Sequence, residues 1–357
     1  MKAAGPAASA LSAKIVGGAT PPRRTALVLA LAATCSLPIA AAPDPTTVSG
    51  RAMGTTWSAQ WRAPAAAIDP AAVKEALAGC LEALEQQFST YREGSEVSHF
   101  NRTRHTEWFP VSADLARAAM LAREISARTG DAFDPTIAPL LRTWGIGPHP
   151  ARDTWPTATE IGAARAQVDW RRLEVRTDPP ALRKADPHLQ VELASLAKGY
   201  AVDRLSALLN RLGAPHHLVR IGGDFRAAGP GPRDEGWMVA IEDPRNPGGK
   251  PACVVTLRNE ALSTSGNYRN ALQIGGQAVG HILDPRSGLP VSGSLWSASV
   301  RAGTCAESSA LATALFVLGA EEGRRLAARE SIAAVFLLRD GPHLRQHASP
   351  AFGACGR

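Results

Sequence analysis

Short β-rich runs that follow one another at hairpin spacing constrain the fold of this 357-residue chain more than any other feature of its sequence. Each is only four to six residues long and strongly apolar. Five of them follow an amphipathic helix in the second half of the chain: Leu218–Ile221, Met238–Ile241, Val254–Leu257, Ala278–Leu283 and Leu295–Val300. Helices mixed with strands at this spacing indicate an α+β fold, with mixed or antiparallel sheets and packed helices, rather than a doubly wound parallel sheet.

Apolar residues at helical spacing predict the helices. The clearest set predicts a helix over about Pro70–Gln87, and its members are Val73, Leu77, Leu81, Leu84 and Phe88. Further helices are predicted over Ser112–Arg128, Ala158–Gln167 and Leu196–Leu212, and from about Ser308 with a break at Gly319. Strands are predicted at Gly54–Trp61 and Val335–Leu338. Apart from its short helix, the segment 147–190 is rich in Pro, Asp and Arg and is predicted to be loop.

The charge of the chain gives little support to nucleic-acid binding. Its 39 basic and 32 acidic residues leave a net charge of +7. However, the first 42 residues contain four basic residues and no acidic one, so the remainder has 35 basic and 32 acidic residues. Most of the basic excess therefore belongs to the N-terminal segment, and a polyanion-binding domain is not expected.

Residues 1–42 have the pattern of an export signal. Arg23 and Arg24 precede the apolar run Thr25–Thr34, which is shorter than the roughly 20 residues that a spanning helix needs. Small residues follow at Ile39–Ala42. We therefore expect a periplasmic domain over 45–345. The sequence leaves open a disordered apolar N-terminus, a twin-arginine signal, and whether Cys35 is removed or becomes a lipid anchor in the inner membrane.

Several familiar nucleotide and catalytic motifs do not occur. The sequence contains no G-x-G-x-x-G after a strand, no P-loop motif and no G-x-S-x-G elbow. The cysteines beyond the leader, Cys80, Cys253, Cys305 and Cys355, form no C-x-x-C pair, which argues against a zinc ribbon or a redox dithiol. Disulfides are expected only if the compartment is oxidising, and the sequence does not give their pairing.

The densest polar cluster in a β-rich region is Gly280–Gly288. It carries His281, Asp284 and Arg286 at a turn that follows an apolar strand. A histidine, a carboxylate and a guanidinium together could act on a phosphate as general base, orienting group and charge clamp. A capped turn with a structural histidine is the alternative interpretation of the same residues.

Three weaker signals have equally simple structural explanations. Ser309 and Thr313 lie four residues apart on one helical face and could bind a cation, although neutral hydroxyls alone bind Mg²⁺ poorly; they could equally form a small-residue packing face. Lys198 lies near a helix start, where anions bind, or is a surface lysine. The loops Gly130–Thr136 and Ser89–Asn101 set aromatic residues among polar ones, which suits a flat heterocycle or a well-anchored turn.

Eight short segments follow one another along the chain: Met53-Gly-Thr, Ser89-Thr-Tyr-Arg, Gly130-Asp-Ala-Phe-Asp-Pro, Ala197-Lys-Gly-Tyr-Ala-Val-Asp203, Ile221-Gly-Gly-Asp224, Ser263-Thr-Ser-Gly-Asn-Tyr268, His281-Ile-Leu-Asp-Pro-Arg-Ser-Gly288 and Ala310-Leu-Ala-Thr-Ala-Leu315. Taken in this order, they resemble the FAD:protein FMN transferase (ApbE) family. The resemblance implies a flavin transferase fold. It also implies that FAD is split with the help of Mg²⁺, that FMN is placed on a Ser or Thr of an exported or membrane redox protein, and that AMP is released.

The resemblance also implies roles for individual residues. His281 is expected to be the catalytic base, supported by Asp284 and Arg286. Residues expected to bind FAD are Met53, Tyr91, Ala132, Phe133, Asp134, Glu192, Lys198 and Leu283, with Glu192 at a position where the family usually has Asp. Residues expected at the metal are Ser195, through its backbone carbonyl, Ser309 and Thr313.

One departure from the family pattern affects the metal site. The family has Asp where this chain has Ser309, so a full negative charge is missing. Glu307 lies two residues earlier, about 200° around the helix, and cannot take its place. Mg²⁺ binding is expected to weaken unless another group replaces the carboxylate. Three functions therefore remain open: an active flavin transferase, an FAD-binding homologue without transfer activity, and a Mg²⁺-dependent FAD pyrophosphatase.

Overall fold

The computed structural model describes residues 44–62, 68–232, 234–269, 271–353 and 355. The predicted leader, Cys35 included, lies outside them. In the described part the helices are α1 (Pro70–Phe88), α2 (Glu96–Arg102), α3 (Ala113–Arg128), α4 (Ala138–Trp144), α5 (Ala158–Arg165), α6 (Ala194–Arg211) and α7 (Cys305–Arg329). The strands are β1 (Thr46–Ala52), β2 (Thr55–Trp61), β3 (Phe109–Pro110), β4 (Leu173–Thr177), β5 (Pro180–Lys184), β6 (His217–Ile221), β7 (Asp224–Ala228), β8 (Trp237–Ile241), β9 (Cys253–Leu257), β10 (Ala261–Gly266), β11 (Ala271–Ile274), β12 (Gln277–Gly280), β13 (Leu283–Asp284), β14 (Leu289–Pro290), β15 (Leu295–Ala302), β16 (Ala333–Asp340) and β17 (His343–Ala348).

Eight strands form the main sheet, in the order β1-β2-β6-β7-β10-β15-β16-β17. Every neighbouring pair in it is antiparallel, so the predicted α+β fold is confirmed. The pairing of β7 with β10 joins strands that are distant in the sequence and sets Asp224 opposite Ser263. This pair lies at the centre of the candidate site.

Both faces of the main sheet are covered at β16, which explains the continuous apolar sequence of this strand. On β16, Ala334 and Phe336 pack with helices α1, α3, α6 and α7 in the large core. Val335 and Leu337 point to the other face, where they pack with the β8–β9 hairpin. Successive side chains of a strand point to opposite faces, so one short run contributes to two cores.

Most predicted helix ends agree with the structure. Ser112 caps α3 by accepting a hydrogen bond from the Leu115 N–H at 3.2 Å. The helix predicted from about Ser308 begins earlier, at Cys305, because Thr304 provides its cap. The predicted break at Gly319 is confirmed, since this residue has φ 74° and ψ −173° inside α7.

The structure differs from two further predictions, one of a loop and one of a strand. The segment 147–190 contains the hairpin β4–β5, which the loop prediction missed because polar residues occupy its exposed face while Leu173 and Leu182 are buried. The run Ala278–Leu283 is not one strand, since β12 ends at Gly280 and β13 begins at Leu283. His281 therefore lies between two short strands.

The cysteines of the described residues are of two kinds. Cys253 and Cys355 form a disulfide, whereas Cys80 and the buried Cys305 are thiols. Among the described residues, no helix is both long enough and apolar enough to cross a membrane.

Candidate active site

A row of hydroxyl groups joins strand β10 to helix α7. Ser263 and Ser265 alternate along β10 and therefore point to the same side. The Oγ of Ser263 lies 2.7 Å from the Oγ of Ser308, and the Oγ of Ser265 lies 3.0 Å from the Oγ1 of Thr313. The small serines of β10 allow α7 to pack close to the sheet and bring the hydroxyl groups of the strand and the helix together.

Helix α6 approaches α7 closely at Gly199. A Cβ atom at this position would lie 2.3 Å from the carbonyl oxygen of Cys305 and 2.9 Å from the Cβ of Ser309, so only glycine fits. Across this contact, the Ser309 hydroxyl donates a hydrogen bond of 2.9 Å to the carbonyl oxygen of Ser195. Thr313 lies one turn further along α7 and bonds to the Ser309 carbonyl at 3.1 Å. The structure thus brings the three predicted metal residues together.

A buried carboxylate that was not predicted as a site residue lies beside this group. Asp224 begins β7 directly after the tight turn Gly222–Gly223, where Gly222 has φ +57°, in the left-handed region. It is 5% exposed. Burial raises the pKa of Asp224, while the charge of Lys198 and the neighbouring hydroxyl groups of Ser263 and Ser309 oppose the rise. The motif Ile221–Asp224 contained this signal, but its contact with α7 depends on sheet pairing.

Glu192 and Lys198 form the next part of the site. The Thr90 hydroxyl and the Ala194 N–H donate hydrogen bonds of 2.7 and 2.9 Å to the Glu192 carboxylate. Burial raises the pKa of Glu192, and Lys198 partly offsets the rise. The Lys198 ammonium donates a hydrogen bond of 3.3 Å to the Ala194 carbonyl, and its charge also opposes the rise in the pKa of Asp224.

Tyr91 and Met53 lie at the rim of the same region. Tyr91 is 69% exposed, and local desolvation together with the charge of Glu192 raises the pKa of its hydroxyl. A large exposed aromatic ring beside a buried acid suits stacking on a planar ligand. Met53 has φ +50°, is partly buried, and donates its N–H to Glu85. Both positions are compatible with the predicted flavin contacts.

The loop that contains Ala132, Phe133 and Asp134 contacts the segment around Glu192. Ala132 and Phe133 are buried, and the Pro135 carbonyl accepts a hydrogen bond of 2.7 Å from the Glu192 N–H. The Asp134 carboxylate accepts bonds from the N–H and hydroxyl of Thr136 and from the Trp170 N–H. Asp134 therefore holds its loop in shape, and burial raises its pKa to about 6.

Asn267 attaches the segment that contains His281 to the end of β10. The Asn267 side-chain carbonyl accepts a hydrogen bond of 3.3 Å from the Ile282 N–H, and its amide donates one of 3.3 Å to the Val291 carbonyl. Asn267 directly follows β10, whose Ser265 contacts Thr313. The predicted base and the predicted metal helix are thus attached to the same end of β10. Asn267 was part of a recognised motif, but its bridging role could not be predicted.

Asp284 and Arg286, the other two predicted catalytic residues, form an ion pair with each other. The Asp284 carboxylate accepts hydrogen bonds from the Arg286 N–H at 2.8 Å and from its guanidinium at 2.9–3.3 Å. Arg286 also pairs with Glu322 at 3.3 Å. Leu283 is 3% exposed, packs with Leu140 in a separate small cluster, and pairs with Pro290 between β13 and β14. This turn shapes the segment that presents His281.

The donor atoms suit a hard cation. Among the described residues, no group of three or more His, Cys, Asp or Glu side chains is arranged to hold a metal. The candidate site instead offers oxygen atoms: the Ser195 carbonyl, the Ser309 and Thr313 hydroxyls, and the nearby Asp224 carboxylate. Oxygen ligands of this kind are those that Mg²⁺ prefers. The residues therefore fit the predicted metal.

Comparisons with known proteins show the family to which this chain belongs. The chain is similar to the FAD:protein FMN transferases of Salmonella typhimurium and Escherichia coli, each 33% identical, over 87% of this chain and 91% and 89% of theirs. Its structure is similar to the flavin transferase ApbE of Vibrio cholerae, with TM-score 0.78, 30% identity, and coverage of 87% and 98%. It is also similar to the apo form of the flavinyl transferase ApbE of Pseudomonas stutzeri, with TM-score 0.78, 34% identity, and coverage of 86% and 95%. The ApbE family model matches residues 53–336, and the chain belongs to the ApbE family.

Proposed function

We propose that this protein transfers FMN from FAD to a Ser or Thr hydroxyl of an acceptor protein and releases AMP. The observation that carries the proposal is the meeting, at one end of β10, of the oxygen-lined cation site and the segment that presents His281. A pyrophosphate bound between them would have a base on one side and positive charge on the other. The relatives named as FAD:protein FMN transferases support the same reaction.

Different residues of the chain have separate roles in the proposed phosphoryl transfer. Met53, Tyr91 and the loop at Ala132–Asp134 would bind the flavin half, while Glu192 and Lys198 would orient the nucleotide, with Lys198 close to the phosphates. The Leu283 main chain would contact the cofactor beside His281. These contacts would hold FAD in place for the incoming hydroxyl, and positioning of this kind provides most of the catalysis in phosphoryl transfer.

His281 would accept the proton of the acceptor hydroxyl. The hydroxyl oxygen then bonds to the phosphorus of the FMN half, and the bond from that phosphorus to the bridging oxygen breaks, so AMP leaves with this oxygen. Asp284 and Arg286 support the reaction by holding the turn behind His281. Mg²⁺ bound by Ser195, Ser309 and Thr313 would neutralise charge on the pyrophosphate.

We also propose that the protein works outside the cytoplasm, on an exported or membrane redox protein. The predicted signal at residues 1–42 and the Cys253–Cys355 disulfide support this location, because disulfides persist in oxidising compartments. Cys35 would either leave with the signal or anchor the protein to the inner membrane.

A second candidate function is FAD binding without transfer. The neutral Ser309 at a metal position favours it, because a weaker cation site would slow the cleavage of the pyrophosphate. A Mg²⁺-dependent FAD pyrophosphatase is the third candidate, in which water replaces the acceptor hydroxyl.

One assay distinguishes the three functions. The purified protein is incubated with FAD, Mg²⁺ and an acceptor protein that carries a flavinylation Ser or Thr, and the products are resolved by gel fluorescence and chromatography. Transfer predicts a fluorescent acceptor and one AMP per flavin attached. Free FMN and AMP without labelled acceptor would identify a pyrophosphatase, and intact bound FAD would identify a binding protein. A His281→Ala variant should lose acceptor labelling while still binding FAD.

A further inference from the structure

The predicted metal residues leave the cation site without negative charge. The Ser195 carbonyl and the hydroxyls of Ser309 and Thr313 are all neutral donors. Mg²⁺ in proteins is usually held by at least one carboxylate, since neutral oxygens compensate its charge poorly. If this site binds a divalent cation, a carboxylate from another part of the chain must come close to it.

Two nearby acidic residues are already engaged elsewhere. Glu307 forms an ion pair of 3.0 Å with Arg128, away from the hydroxyl row. Asp203 accepts hydrogen bonds of 2.9 Å from the N–H groups of Cys305 and Ala306, so it caps the first turn of α7. Neither carboxylate contacts Ser309 in these arrangements.

Asp224 differs in its contacts. Asp224 lies directly opposite Ser263 in the β7–β10 pairing, so the two side chains share a face of the sheet. On that face the Ser263 hydroxyl lies 2.7 Å from that of Ser308 on α7, and the next residue, Ser309, donates its hydroxyl hydrogen to the Ser195 carbonyl. The Asp224 carboxylate thus faces the turn of α7 that carries Ser309. Within the described part of the chain, Asp224 forms no ion pair shorter than 4 Å. A buried carboxylate is costly unless it is paired or coordinates a metal, so hydroxyl groups alone are a poor environment for it.

We propose that Asp224 supplies the anionic ligand of the cation site in this chain, in place of the carboxylate that Ser309 lacks. The charge is thus provided by strand β7 rather than by helix α7, and Ser309 leaves room for it. This inference rests on the proposed function, because the cation belongs to the same site.

Binding of Mn²⁺ to the purified full-length protein tests the proposal without reference to catalysis. Mn²⁺ prefers the same oxygen ligands as Mg²⁺, and electron paramagnetic resonance measures how much of it is free and how much is bound. Titrations with and without FAD should show Asp224→Asn binding Mn²⁺ at least ten-fold more weakly than the wild type. Asp203→Asn is the matched control, since it removes a neighbouring, partly buried carboxylate and should change the affinity less than two-fold. Adding Ser309→Asp to Asp224→Asn should restore the affinity to within about three-fold.

Equal Mn²⁺ affinity of the wild type and Asp224→Asn would overturn the proposal. A second measurement needs no variant: protein labelled with ¹³C at aspartate carboxyl groups should show a carboxyl carbon coordinated to the bound Mn²⁺, and its absence would also overturn the proposal. Flavin fluorescence of the same samples reports FAD binding. Unchanged Mn²⁺ affinity in Asp224→Asn with normal FAD binding refutes only this inference, whereas a wild type that binds neither ligand refutes the proposed function as well.

Discussion

Single buried ionisable groups hold the loops around the candidate site. Lys184 is 1% exposed, and its ammonium donates hydrogen bonds to the carbonyl oxygens of Phe100, Thr103 and Leu189 at 2.9–3.1 Å. It thereby joins the end of α2 to the segment before Glu192, and burial lowers its pKa to about 8. The sequence did not indicate this role, because the three acceptors are main-chain atoms from two distant segments.

Replacement of Lys184 by Met should lower the free energy of unfolding by about 2–4 kcal/mol, because three buried carbonyl groups lose their donor. Urea denaturation of Lys184→Met measures the loss. Lys74→Met is the control, since Lys74 is exposed on α1 and should change stability by less than about 0.5 kcal/mol. Equal stability of the two variants would contradict the structural role of Lys184.

Asp134 should give the protein a specific pH dependence. Burial raises its folded-state pKa to about 6, above the value of about 3.9 in an unfolded chain. The unfolded state therefore releases this proton first, and stability falls as the pH rises from about 4 to about 6. Relative to Asp134→Asn, the wild type should lose about 3 kcal/mol over this range. Urea denaturation of both proteins at several pH values measures the difference, and a constant difference would contradict the shift.

At the scale of individual site residues, the family resemblance predicted Ser195, Ser309 and Thr313 as one group, and the structure brings them together. Their roles in catalysis and binding stay predictions. The positions of Asp224 and Gly199 relative to α7 could not be predicted, because they depend on strand pairing and on a helix crossing between segments far apart in the sequence.

At the scale of elements, long amphipathic helices were the most predictable part of the fold. Helices α1, α3 and α6 agree with their apolar spacing, because a packed helix needs an apolar stripe. Strand β10 was missed because Ser263, Thr264 and Ser265 replace the usual apolar alternation. The same polar residues make this strand part of the candidate site. The residues that form the site thus replace the apolar alternation from which a strand is predicted.

Substitution of Gly319, where α7 breaks, by alanine should change stability in the opposite direction from the same substitution at a glycine inside a regular helix. Gly319 has φ 74° and ψ −173°, a region that essentially only glycine occupies, and a Cβ there meets no atom within 4 Å. Gly319→Ala should therefore lower the free energy of unfolding by about 1–3 kcal/mol through backbone strain alone. Chemical denaturation measures the change.

Gly79 provides the matched control for Gly319. It lies inside α1, and a Cβ there also meets no atom within 4 Å. Gly79→Ala should raise stability by about 0.5–1 kcal/mol, since alanine suits a regular helix better. The same sign for both substitutions would show that α7 does not break at Gly319.

At the scale of the whole described chain, the main sheet lies between helices and the β8–β9 hairpin. The sequence predicted the α+β fold class, but it did not predict the order of the strands in this sheet. The order depends on pairings such as β7 with β10, which local sequence does not encode. The disulfide belongs to this scale because it joins β9 to the C-terminal segment over a separation of 102 residues. The cysteine spacing alone gave no pairing.

Removal of the disulfide should destabilise the protein substantially. The double variant Cys253→Ala/Cys355→Ala should lose about 2–5 kcal/mol of unfolding free energy, because the closed loop is long. Thermal and urea denaturation measure the loss, and reducing agent should destabilise the wild type but not the variant. Cys80→Ala is the control, as Cys80 is an unpaired, half-buried thiol. Identical responses to reducing agent would show that the bond does not form.

The most direct test of the flavin site, on which all three candidate functions depend, is a titration of the purified protein with FAD, followed by flavin fluorescence and by the thermal unfolding midpoint. We expect saturable binding, a change in flavin fluorescence, and a Tm that rises with FAD concentration, because a ligand that binds only the folded state stabilises it. Lys198→Met should weaken this binding. No saturable signal and no change in Tm at any FAD concentration would contradict a flavin site.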